Sequence, residues 1–85
     1  MPTFAVRFKG MLTKNERKRL EQARIRIKDQ EPSLQIGFVK TGVPIYTTHV
    51  AGLSEDEALQ KVREALDPDT ANFSGWEVRQ VGYAA

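Results

Sequence analysis

The side chains able to do chemistry in this chain are mostly cations. Residues 1–28 carry nine Lys and Arg against two Glu, a local net charge of +7, while residues 29–85 carry four cations against nine carboxylates, net −5. Such an asymmetry fits either contact with an acidic partner or two halves of one domain that complement each other. Lys14 and the stretch ERKRLEQARIRIKDQ (residues 16–30) together hold seven of the cations. A second set is smaller: His49, the sole histidine, with Arg7 and Arg79. If three strands present these side chains on one sheet face, the row would hold an anion or a carboxylate through charge-assisted hydrogen bonds.

Other chemistries have little support. There is no cysteine, which excludes disulfides and thiolate zinc sites. There is no GxxxxGK[ST] phosphate loop, no HExxH, and no nucleophile–His–carboxylate spacing. Glu55-Asp56-Glu57 reads as the first turn of a helix, where carboxylates complement the macrodipole. The carboxylates of DPDT (residues 67–70) sit in a loop after that helix with no further ligands nearby. No metal and no cofactor is expected.

The elements that must position these residues follow from periodicity. Phe4, Val6 and Phe8 alternate with Ala5 and Arg7, as in a half-buried strand. Gly10 breaks it, and Thr13–Glu16 forms a capping box preceded by Leu12. Tyr46–Ala51, Gly52, Leu53 and Ser54–Glu57 repeat that grammar. Ala58, Leu59, Val62, Ala65 and Leu66 then keep helical spacing up to Asp67-Pro68. Between the units lies a hairpin, Leu34–Val39 against Ile45–Val50, with a turn expected at Gly42-Val43-Pro44. That register places Leu34, Ile36, Phe38, Tyr46, Thr48 and Val50 on one face and sets Gly37 opposite His49. A last strand, WEVRQVGY, directs Trp76 and Val78 one way and Glu77, Arg79, Val81 and Tyr83 the other.

The order β-α-β-β-α-β resembles the split βαβ plan of ferredoxin-like domains. The expected fold is an α+β sandwich within residues 1–85, with a four-stranded antiparallel sheet and two helices on one face. Phe4, Val6, Phe8, Ile36, Phe38, Val50, Trp76 and Val78 would lie beneath the helices. The RNA-recognition version of that plan stacks bases on aromatics of the two central strands. Here those outward positions hold Ala5, Arg7, Thr47 and His49, with Tyr83 the one outward aromatic. Base stacking is therefore not expected. IYTTHVAGLSEDEALQKV (residues 45–62) is similar in pattern to the second half of small peptidoglycan-binding domains, over under a quarter of the chain.

RIRIK admits two readings. On a helix, Leu20, Ala23 and Ile27 form one stripe and Ile25 points outward beside Lys14 and Lys18. As a strand, the segment alternates cleanly and Ile25 joins the apolar side. Strand formation would leave a first helix of about nine residues, short against the usual range. The helix is therefore expected to run to about Lys28.

The function expected is a small non-enzymatic, cytoplasmic module that engages nucleic acid or an acidic protein surface through a basic first helix. Lys14, Arg17, Lys18, Arg24 and Lys28 would supply the contacts. The alternatives are a protein–protein or homodimeric module using the open sheet face, and third a small dimeric enzyme or ligand-binding domain using Arg7, His49 and Arg79. No apolar run approaches a membrane span, and no membrane contact is expected.

Overall fold

The computed structural model of the chain describes residues 2–83, the side chain of Tyr83 excepted; the outward direction expected for that side chain lies outside the described residues. Strand β1 (Pro2–Lys9) leads through a loop to helix α1 (Lys14–Gln22). A long hairpin of β2 (Arg26–Ile36) and β3 (Val39–Ala51) follows, then helix α2 (Glu55–Leu66), a single 3-10 turn at Asp69–Asn72, and β4 (Ser74–Tyr83). The strands form one antiparallel sheet in the order β2-β3-β1-β4. Both helices cover the same face, so the architecture is α+β with one face of the sheet open. Among the described residues no helix is long and apolar enough to cross a membrane.

Alternation on β1 sets the core. Phe4, Val6 and Phe8 point toward the helices and pack with Leu12, Leu20, Tyr46, Val50, Ala58, Val62, Leu66 and Phe73. Trp76 and Val78 close its edge, with the Trp76 ring 5.1 Å from that of Phe8. Thr48 is fully buried on this face without penalty, because its hydroxyl donates to the Val6 carbonyl at 2.9 Å. Both helix starts follow the expected chemistry. Thr13 and Glu16 bond reciprocally to each other's backbone N–H, which completes the first capping box. At α2 the Ser54 hydroxyl accepts from the Glu57 N–H, but the Glu57 carboxylate reaches the N–H of Leu53, one residue further out.

The helix does not run to Lys28. It ends at Gln22 in a Schellman motif: Ile25 N–H donates to Leu20 C=O and Arg24 N–H to Glu21 C=O, each at 2.9 Å. That closure needs a left-handed residue, and Arg24 supplies it at φ 60°. A non-glycine residue there costs roughly 1–2 kcal/mol. Ile25, 3% exposed and packed in the core beside Leu20, returns roughly 1.5–3 kcal/mol of burial. Burial therefore wins over the helix propensity of the flanking Arg and Lys. Ala23, expected on the buried stripe, is exposed.

The hairpin turns earlier than expected. Ile36 pairs with Val39 across a two-residue turn at Gly37-Phe38. Gly37 has φ 60° while Phe38 does not enter the positive-φ region, the pattern of a type II′ turn with glycine first. Gly42, at φ 88°, is instead the left-handed residue of a bulge in which Gly42 and Val43 oppose Ser33. Pro44 does not end a strand either. It sits opposite Pro32, so the two missing N–H donors fall on one rung. The expected apolar face survives only for Tyr46, Thr48 and Val50. Leu34, Ile36 and Phe38 are exposed, and His49 faces Arg26, not Gly37. β1 covers β3 only as far as the Lys9–Ile45 pair, so residues 33–43 leave the sheet as a two-stranded ribbon. The molecule is correspondingly long, 41 × 27 × 18 Å.

Candidate anion-binding face

The open face is built in rungs. Partners on an antiparallel ladder share a side of the sheet. The register therefore sets Arg26, His49, Ala5 and Arg79 in one line across all four strands. The next line is Asp29, Thr47, Arg7 and Glu77. Lys28 occupies the bulge between Ile27 and Asp29, and its side chain lines the same hollow as His49. Ala5 forms the floor at 5% exposure, where a larger residue would fill the depression. The hollow measures about 450 Å³ and reaches both lines.

The two lines differ in how their charges are met. Arg7 lies between carboxylates, with Nη2 3.2 Å from Glu31 Oε1 and Nη1 3.7 Å from Glu77 Oε2. Both ion pairs are exposed, so each adds little stability but holds the guanidinium in place. In the first line no ion pair forms among the described residues, although Asp29, Glu31 and Glu77 border the same hollow. Among the described residues no carboxylate comes within 4.0 Å of Arg26, Lys28 or Arg79. His49 registers this environment: partial burial holds its pKa below the ordinary 6.5, and the charges of Lys28 and Arg26 lower it further. The imidazole is thus neutral at pH 7 and becomes a second donor when an anion draws a proton onto it.

The residues expected to act together divide between two sides of the molecule. Lys14, Arg17 and Lys18 are on α1, Arg24 is in the left-handed turn after it, and Lys28 is on β2 facing the open sheet. Arg17 is engaged on its own domain, donating to the Tyr46 hydroxyl at 3.1 Å with its guanidinium 5.3 Å from that ring's centroid. Arg19 is likewise engaged, bonding the Asp67 carbonyl and pairing with Asp69 at 2.9 Å. Lys14 and Lys18 remain exposed on the helix. Arg7, His49 and Arg79 do share the open face, but on two lines, with Arg7 offset from the other pair. The residue that sequence reasoning missed is Arg26. The alternation in RIRIK held the signal, since a strand there puts Arg26 and Lys28 on the side away from the core.

Among the described residues no group of acidic or histidine side chains could hold a metal ion. Comparison with family models, with curated proteins and with solved structures finds no match to this chain.

Proposed function

We propose that this chain is a ferredoxin-like, non-enzymatic binding module that grips the phosphates of a nucleic acid with the cationic end of its open sheet face. The element order and the strand order β2-β3-β1-β4 support the ferredoxin-like reading. The observation that carries the function is the line Arg26–His49–Ala5–Arg79 with Lys28 beside it, where no cation is held in an ion pair among the described residues, although Asp29, Glu31 and Glu77 border the same hollow. Unpaired cations spaced across a rigid sheet face offer successive contacts to the phosphates of a polyanion, with release of its counterions. The central strands present Ala5, Arg7, Thr47 and His49 outward, so contacts go to the backbone and binding is weakly sequence-selective. Lys14 and Lys18 contribute at most to long-range attraction, since the helices cover the opposite face.

The test is a titration with single- and double-stranded nucleic acid at two salt concentrations. Arg26→Gln, Lys28→Gln and Arg79→Gln should each lower the salt slope by about 0.7–0.9, while Lys14→Gln and Lys18→Gln leave it nearly unchanged. Equal losses from the two sets would reject the sheet face as the site. Binding of an acidic protein in the absence of nucleic-acid affinity would move the proposal to that partner.

A further inference from the structure

Eight large hydrophobic side chains are exposed among the described residues, and five of them fall within residues 34–43. They belong to the ribbon that extends past the end of β1. Its ladder pairs Leu34 with Thr41 and Ile36 with Val39, so Leu34, Ile36 and Val39 share one ribbon face, with Phe38 at the tip. Gln35 and Lys40 pair on the other face. Leu34, Ile36, Val39 and Phe38 are 50%, 67%, 62% and 103% exposed. A two-stranded ribbon is only marginally stable alone in water, and one with an apolar side facing solvent lacks the layer that would stabilise it.

We propose that a second copy of this chain supplies that layer, the two ribbons packing face to face about a two-fold axis. Every described element is already placed in the fold, and Pro2 and Tyr83 pair at the end of β1 remote from the ribbon. Nucleic acid and anionic lipid are poor occupants, since Lys40 is the single cation in residues 33–43. The same composition favours self-contact, as two copies of this face bring no like charges together. Neither edge of the ribbon serves as the contact: Pro32 and two irregularities in register interrupt β2, and the Gly42-Val43 bulge and Pro44 interrupt β3, which are devices that keep edge strands from pairing. A face is left, and a face that meets its own copy is satisfied on both sides at once. Together the four side chains expose on the order of 500 Å², so a symmetric pair would bury about 1,000 Å², the lower bound of a specific interface. The dimer is accordingly a reversible one, at the small end of specific interfaces.

The experiment is sedimentation velocity of the full chain from micromolar to near-millimolar concentration. Three proteins are compared: wild type, Ile36→Lys/Val39→Lys, and Gln35→Lys on the polar face. Wild type and Q35K should pass from monomer to dimer together, and the double variant should stay monomeric with an unchanged far-UV spectrum. The substituted side chains lie outside the core, so folding of the double variant is retained. Wild type that remains monomeric throughout overturns the proposal, as does a double variant that dimerises like wild type. Flotation of monomeric wild type with phosphatidylcholine vesicles, lost in the double variant, also overturns it, in favour of a membrane occupant.

Discussion

The β2–β3 hairpin has two ends of opposite character. At its root, Arg26–Glu31 and Ile45–His49 lie in a four-stranded sheet with helices beneath, and the exposed side carries a dense, ordered set of charges. At its tip, residues 33–43 have no third strand, one charge and a run of exposed apolar side chains. The same pair of strands thus changes from a charged surface on a stable base to an apolar surface with no base at all. A dense charged surface is carried where packing beneath holds the backbone, whereas the apolar ribbon has no such layer beneath it. Under the two proposals the root meets an anion and the tip meets a second copy of this chain.

The sharpest way to break this contrast is to remove one phenylalanine from each end. Phe8, fully buried and in contact with three aromatic rings, should cost roughly 3–5 kcal/mol as Phe8→Ala. Phe38→Ala should change monomer stability by less than about 0.5 kcal/mol. Urea unfolding at low protein concentration measures both, and similar losses would mean that the tip is part of the core. Next in size is the charge test at the root. Arg26→Gln/Lys28→Gln/Arg79→Gln should remove about 2–3 units of salt slope in nucleic-acid binding. Thermal stability should be nearly unchanged, because these exposed side chains form no ion pair and lie outside the core.

The first helix was legible at its start and not at its end. Thr13, Glu16 and Leu12 announce the entry in the usual residue types, and the capping box forms as written. The exit carries no glycine, because Arg24 takes the left-handed position that a glycine normally marks. What decides it is the tertiary burial of Ile25, which local propensity does not contain. The turn failed for a related reason. Gly42 and Pro44 look like the stronger breakers, yet a bulge accommodates the glycine and the paired position of Pro32 accommodates the proline. The displaced turn carried Leu34, Ile36 and Phe38 out of the expected core, and with them the site count on β2 changed. Arg7, His49 and Arg79 lie on the open face because alternation is unbroken through Ala5–Arg7, Thr47–His49 and Glu77–Arg79, which fixes direction without knowledge of the register.

Two smaller effects sharpen the account of the root. Arg24→Gly should raise stability by about 1 kcal/mol in thermal or urea unfolding, by removing the cost of a side chain in the left-handed region. A loss of stability would mean that Arg24 makes a contact worth more than that strain. The smallest effect is the pH response of His49. Its folded pKa lies below the 6.5 of the unfolded chain, so the unfolded state binds more protons between the two values. Its contribution is therefore fully present above 6.5 and is lost as the pH falls through the folded pKa. His49→Gln should flatten the melting temperature over that window. A bound polyanion acts the other way, raising the His49 pKa, so wild-type affinity should increase as the pH falls below 6.5.

If the proposed function holds, the open sheet face around Arg26, Lys28, His49 and Arg79, and not the first helix, is the anion-binding surface. Side-chain and amide NMR shifts during titration with a short single-stranded oligonucleotide at low salt address it directly. Saturable changes are expected at Arg26, Lys28, His49 and Arg79, with Lys14 and Lys18 nearly still. Changes centred on Lys14, Lys18 and Arg24 with the sheet face unmoved would contradict it.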